Sequence, residues 1–525
     1  MSSLPVLTIL IFLPVAASFL LVFLKDEESI RKAALAASIL ELLAAIPLLS
    51  FTPDANFQFV ERAGWVRAWG LEYHLAVDGI SILMIWLTLC TLPLCVLCSW
   101  TYIGRRIKEF HICILLMTAA CIGVFTAMDF VLFYVFWEAM LIPMYLLIAV
   151  WGGPERKYAS IKFFLYTLAG SALLLVAIVA FRVAGGSFDI PELMAGNFSF
   201  TFQFWAFLAM AVAFAVKVPM FPFHTWLPAA HVQAPSAGSV ILAAVLLKMG
   251  AYGFLRFCLP LTPLASQFFA PMMVGISVIS ILYGGAVALG QNDIKKLVAY
   301  SSVAHMGFVT LGIFLFDAQG VQGALLQMLN HGIITGALFM MIGAMYERSH
   351  SREVKDHLGM GKYLPAFMFF WGLYALAALG FPGTNGFVGE ILVFAAAFRV
   401  DPVIGGLIVP GALLGAAYMF RVTLKMAWGA PSTAASWKDL NKRELCYLIL
   451  PAALTLYIGL APGLFLRTVG PSVDKVVADY KARTASSIIF AGHDAPSTAF
   501  AGDAVGKREA AFAARGAVRP EGVRQ

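Results

Sequence analysis

Apolar runs of about 20 residues, separated by short polar breaks, recur along almost the whole of this 525-residue chain. Wound as an α-helix, a run of that length spans the hydrocarbon core of a bilayer. Lipid cannot satisfy exposed backbone N–H and C=O groups, so the pattern restricts the chain to a bundle of membrane-crossing helices. Composition agrees. The chain is 61% hydrophobic and 12% charged, with mean hydropathy +0.85, where a soluble domain carries roughly a quarter charged residues. Counting runs predicts an all-α polytopic membrane protein of about fourteen spans. The first, Leu4 to Leu24, has no basic segment before it and no small-residue cleavage site after it, and reads as a retained span.

The formal charge of +7 and pI near 9.0 do not point to nucleic acid, because the basic residues lie between apolar runs. Alternate loops hold Lys25/Arg31/Lys32, Arg105/Arg106/Lys108, Arg156/Lys157, Lys295/Lys296, Arg348/Arg352/Lys355/Lys362 and Lys438/Lys442/Arg443. The opposite loops hold only Arg62, Arg67, Arg182, Arg256, Arg399 and Arg467. The rich set is expected to face the cytoplasm, and an even span count then places both termini outside. Residues 51–77 read as a small extracytoplasmic hairpin or short helix, and the chain from Gly470 onward as a polar surface extension. Cys95 and Cys98 form a C-x-x-C inside an apolar run with no second pair, which reads as helix packing. No dinucleotide, phosphate-loop, haem or metal-ligand spacing occurs, so neither a cofactor nor a metal is expected on this chain.

Charges placed inside the apolar runs carry the functional reading. Lys217 follows the unbroken run Phe204 to Val216 and precedes Pro219 and Pro222 in AVKVPMFPFHTWLP. A lysine in mid-membrane is tolerated when it is paired or lines a wet cavity, and proline breaks a helix where it faces protein or water. Transporters build ion paths this way; the alternative is a lysine snorkelling to the interface. Glu138 lies nine residues past Asp129, about 14 Å deep at 1.5 Å per residue, and Lys217 is its natural partner. Lys248 also sits mid-span; two lysines in adjacent dry helices repel, which suits one of them to releasing a proton. His305 and His331 add groups that titrate near neutral pH. His224 and His231 stand at or just beyond the end of the broken helix, as gates or caps. Glu390 follows a second break, in ALGFPGTNGFVGE. Together Glu138, Lys217, Lys248, His305, His331 and Glu390 predict a polar axis fit for proton relay. The two breaks fall in two five-helix blocks, about 111–257 and 271–428, and an odd-numbered unit inverts when repeated.

The strings FYVFWEAMLIPMYLLI, FAVKVPMFPFHTWLPAAHVQAPSAGSVILAAVLLKMGAYG, GQNDIKKLVAYSSVAHMGFV and GFPGTNGFVGE resemble the antiporter-like subunits of proton-pumping NADH:quinone oxidoreductase, respiratory complex I. The resemblance covers about 110–430. It is nearest to that family's M branch, with Glu390 where the L and N branches resemble one another in carrying lysine. It implies two inverted five-helix repeats with discontinuous helices 7 and 12. The implied domains are three N-terminal helices over 1–110, repeats over 111–257 and 258–428, a last helix over 429–470 and a polar tail over 471–525. It further implies a coupling pair at Glu138 and Lys217, a central relay lysine at Lys248, linking positions at His305 and His331, and terminal proton exchange at Glu390. Partners would be other membrane-arm subunits and the lipid bilayer, in a bacterial inner membrane. FMN, iron–sulfur clusters, NADH and quinone would belong to other subunits. A subunit of a multisubunit Na⁺/H⁺ antiporter or of a membrane-bound hydrogenase, or an idle structural spacer, are the competing readings.

Overall fold

A computed structural model describes residues 4–430 and 436–490, with the side chains of 486–490 left aside. Among the described residues, thirteen helices are long and apolar enough to cross a membrane. They are spans 1 to 11, Val6–Phe23, Glu27–Ser50, Gly79–Ser99, Ile107–Thr126, Phe130–Trp151, Arg156–Gly185, Phe200–Lys217, Ser236–Leu261, Pro263–Leu289, Ile294–Phe314 and Ala318–Ser349, then spans 13 and 14, Pro402–Trp428 and Lys442–Leu460. Span 12 is the discontinuous pair Pro365–Ala378 and Asn385–Val400, which makes fourteen crossings. The polar breaks between runs supply the caps that start the helices. Asp129, Asp293 and Asp401 each accept backbone N–H groups at the head of the following span, and Asn441 forms a reciprocal capping box with Glu444.

Burial sorts the spans into layers. Spans 8 and 11 are wholly enclosed and span 10 almost so, whereas spans 1, 2, 6 and 13 leave most of their surface outward. Lys248, His305 and His331 therefore ride on the innermost helices, where an ionisable group meets protein rather than acyl chains. Small residues allow those helices to close up. A Cβ on Gly332 of span 11 would stand 2.9 Å from the Ala244 carbonyl of span 8, and one on Gly250 would stand 2.7 Å from the Phe214 carbonyl of span 7. Cys95 and Cys98 are both buried within span 3.

On the face opposite the Lys/Arg-rich loops, residues 51–77 form the expected hairpin. Strands β1 (Gln58–Val66) and β2 (Leu71–Val77) pair antiparallel, with Arg62 opposite His74 and Gly64 opposite Glu72. The turn between them needs a left-handed residue at Gly70, φ 70°.

Both interrupted helices break where the prolines and glycines stand. Span 7 ends at Lys217, the chain runs irregularly to Thr225, and a short helix, Trp226–Gln233, resumes. Span 12 breaks across Leu379–Thr384, with Gly380 and Gly383 at φ 74° and 91°. The segments bordering each break are helical; within the breaks Val218, Met220 and Thr384 are buried, whereas Pro222, Phe381 and Pro382 are exposed.

Three expectations are corrected. Span 14 stops at Leu460 because Pro462 can neither donate a ladder hydrogen bond nor leave Ala461 helical (φ −136°, ψ 63°). The chain after Gly470 is not simply a polar extension, since a closing helix runs from Gly463 to Phe490. Val469, Val473, Val477, Tyr480 and Thr484 recur at helical spacing and are buried, with Tyr480 stacked 4.1 Å from Phe316 and Arg483 donating to the Pro260 carbonyl. The remainder of the expected tail, 491–525, lies outside the described residues. Finally, Arg256 and Lys295 are not loop charges: both are buried, in spans 8 and 10.

Candidate functional site

Lys248 stands at one end of a line of polar side chains through the bundle interior. Two stretches of wider π-type turns, Leu242–Leu246 and Phe254–Cys258, flank it in span 8. Such turns loosen the regular i→i−4 ladder and recur at functional sites. The Lys248 ammonium donates to the Ala243 carbonyl at 2.5 Å and stands 2.6 Å from Nδ1 of His331. The His331 and His305 rings lie 5.8 Å apart, centre to centre. His305 Nδ1 is 2.8 Å from Oε1 of Glu390. Gln327 Nε2 donates to that same oxygen at 3.1 Å, and the Tyr418 hydroxyl approaches His305 Nε2 at 3.4 Å. Four sequence-predicted residues thus join spans 8, 11, 10 and 12 in sequence, all at 7% exposure or less.

Glu138 and Lys217 are not joined. Lys217 Nζ and Glu138 Oε1 each lack a hydrogen-bond partner, and no ion pair connects them. The Lys217 ammonium instead lies 5.1 Å above the Trp137 ring, one residue from Glu138, where the ring face offers a weak cation-binding surface. Glu138 is only half-buried and sits on an outward stripe of span 5 with Val135, Ile142 and Leu146. The expected coupling pair is therefore open in this conformation.

His224 stands within the span 7 break, its ring 5.1 Å from Tyr283. His231, fully enclosed, stacks on Phe339 of span 11 at 4.5 Å, with both ring nitrogens unpartnered. Close to it Lys295 Nζ donates to the Ala234 carbonyl at 2.6 Å. Lys295 also lines a polar cavity of about 300 Å³, with Tyr102, Gln233, Asp293, Arg352 and Glu353, on the Lys/Arg-rich face. Gln327, Tyr418 and Lys295 were not singled out from the sequence. Uncharged polar side chains give no signal in an apolar run, and Lys295 lies one residue inside its helix, next to a polar break.

No metal was expected, yet Glu72, His74 and Asp189 offer ligand atoms within 4.8 Å of one another beside the hairpin. Arg62 already takes a cation's place there, with Nη2 3.4 Å from Asp189 and its Nε bonded to Glu72. Burial raises the Asp189 carboxyl, but the His74 hydrogen bond, the Glu192 amide and the neighbouring charges outweigh it and hold the group below its ordinary value.

A fourteen-crossing bundle with two broken helices and a polar chain on its innermost spans defines an antiporter-type membrane subunit. A sequence profile of the NADH:quinone oxidoreductase/Mrp antiporter transmembrane family matches residues 127–415. NADH-quinone oxidoreductase subunit M of Rhodobacter capsulatus is 44% identical over 499 residues, spanning 91% of this chain and 97% of its own. A chain of respiratory complex I from Thermus thermophilus, solved with bound NADH, superposes with TM-score 0.84 at 30% identity over 90% of this chain and 99% of that one. A chain of the Mrp complex from Dietzia shares the fold at TM-score 0.78 and 22% identity, over 97% of this chain and 59% of that one. The chain belongs to the NADH:quinone oxidoreductase/Mrp antiporter family.

Proposed function

We propose that this chain is the M-type membrane-arm subunit of a proton-translocating NADH:quinone oxidoreductase, and that it carries one proton channel. The observation that carries the reading is the line of proton-binding side chains Lys248, His331, His305 and Glu390 through the bundle interior, in polar contact at both ends and with the two imidazole rings 5.8 Å apart, centre to centre, between them. Every member of that line can bind and release a proton, which a structural ion pair or a site for a metal cation does not require. A proton taken up through the polar cavity beside Lys295 and His231 reaches Lys248, passes to His331 and His305, and is handed by Glu390 to the hairpin side. The Mrp likeness supports the fold alone.

The energy comes from elsewhere. NADH oxidation and quinone reduction, with FMN and iron–sulfur clusters, occur on other subunits of such a complex. Glu138 sits on an outward face where a neighbouring subunit's charge acts on it. When Glu138 closes on Lys217 the two charges neutralise each other; when it swings away, the freed ammonium drives the Lys248 proton onward. Unit charges 4 Å apart interact by about 4 kcal/mol at an effective dielectric of 20, a roughly thousand-fold change in proton occupancy. The Lys/Arg-rich loops support a bacterial inner-membrane orientation with those loops cytoplasmic and both termini outside.

Purification in mild detergent followed by mass spectrometry is expected to recover NADH- and quinone-reacting subunits with this chain; recovery with antiporter subunits alone would overturn the assignment. In membrane vesicles Lys248→Ala should lose at least about ten-fold in NADH-driven pumping, as expected for removal of a proton-transfer group. Full pumping in that variant would leave the chain a spacer.

A further inference from the structure

Span 8 carries a second polar line that the relay does not use. Lys248, Tyr252 and Arg256 stand at i, i+4 and i+8, on one face running from mid-membrane towards the hairpin side. Arg256 Nε donates to the Tyr252 hydroxyl at 3.2 Å, and that hydroxyl donates to the Phe125 carbonyl at 3.3 Å. Arg256 Nη2 then meets Oδ1 of Asp78 at 2.6 Å. Left open, this line would offer a proton on Lys248 a way out other than the crossing to Glu390.

The end of the line is closed in three ways. Arg256 and Asp78 are both buried, at 3% and 4% exposure. Asp78 Oδ1 accepts not only from Arg256 but from the Ile80 and Ser81 amides, while the Ser81 hydroxyl stands 3.2 Å away, so its acceptor capacity is taken. Above the pair lies a roof. The Phe57 ring is 5.3 Å from the guanidinium, and Ser472 of the closing helix accepts the Gly79 N–H at 3.0 Å. Gly79 is pressed so closely that a Cβ would stand 2.4 Å from the Thr468 carbonyl. A guanidinium does not release its proton in proteins and so cannot relay one, and a fixed cation in a narrow path repels protons.

We propose that the Asp78–Arg256 pair, roofed by Phe57 and the closing helix, is a lock that seals the hairpin-side end of span 8 and sends protons from Lys248 across to Glu390. The inference rests on the reading of Lys248 as a carrier of the transported proton. The lock works by staying paired and covered.

The test is passive proton flow in vesicles containing the whole complex, without NADH, driven by a potassium diffusion potential and followed with a pH dye. Arg256→Gln is expected to raise the inward or outward leak at least five-fold over wild type, and adding Lys248→Ala should return it to the wild-type rate. Asp78→Asn/Arg256→Gln removes both charges together and Phe57→Ala only uncovers the pair, so both are read beside the single variant and decide the matter if it fails to assemble. Proton-tight vesicles from every assembled variant overturn the lock, as does a leak that persists without Lys248. Lys248→Ala alone separates the two ideas. Full NADH-driven pumping in that variant overturns the channel itself. Loss of pumping there, with tight Arg256→Gln vesicles, overturns only the lock.

Discussion

Glu390, proposed above as the proton-exchange residue, is held from several sides. His305 Nδ1 and Gln327 Nε2 converge on one carboxylate oxygen, and the other lies 3.0 Å from where a Cβ on Gly380 would be. Glu390→Gln keeps volume and can still accept from Gln327, but it cannot ionise. Pumping is expected to fall by about ten-fold or more, the scale of a lost proton-transfer group. Glu390→Lys restores a titratable group and should retain more pumping than Glu390→Gln at equal complex levels on a native gel; equal activity would show that titration at this position is not what transport needs. Gln327→Leu removes one hydrogen bond to a charged acceptor, about 1.5–3 kcal/mol, and should slow pumping less than loss of the carboxylate does. The four residues that the structure lines up, Lys248, His331, His305 and Glu390, stood out in the sequence because a charge or imidazole inside an apolar run is expensive unless it is paired. Their connections did not. Spacing along a helix cannot say that His331 faces Lys248 or that Glu138 points away from Lys217.

At the scale of elements, the break in span 12 depends on Gly380, whose φ of 74° a side chain adopts only with strain. Gly380→Ala adds that strain, roughly 1–3 kcal/mol, and pushes a methyl against Glu390 Oε2. Melting of the purified complex should shift down and pumping should drop together; an unchanged melting point with normal pumping would show that the break tolerates a right-handed residue. Both breaks were legible, since proline and glycine clusters have few other uses inside a membrane helix. The closing helix was missed for a physical reason. Its buried positions recur at helical spacing, but charges on its other face dilute the apolar signal, and such a helix becomes stable only when packed on a bundle the sequence does not display.

At the scale of the whole molecule, the alternation of basic and poor loops predicts an orientation that labelling can read. With the exposed thiol removed by Cys446→Ala, cysteines at the exposed positions Trp69 and Lys438 should respond oppositely to an impermeant reagent, the first from outside the cell and the second only after lysis. Identical labelling would shift the span count by an odd number. The span number was readable from hydropathy, and 51–77 as a small hairpin or short helix from its looser alternation. Which helices are innermost was not, because spans 8 and 13 are similarly long and apolar and only packing separates them.

The outward stripe holding Glu138 also bears on the life of the chain before assembly. A copy inserted alone presents a carboxylate to acyl chains in mid-membrane, a burden of about 2.5–3.5 kcal/mol on insertion scales. That burden disappears once a neighbouring subunit covers the stripe. Relieving that burden with Glu138→Leu should lengthen the half-life of the orphan in a pulse–chase experiment in cells lacking the rest of the arm; an unchanged half-life would show that the acid does not weigh on the unassembled chain.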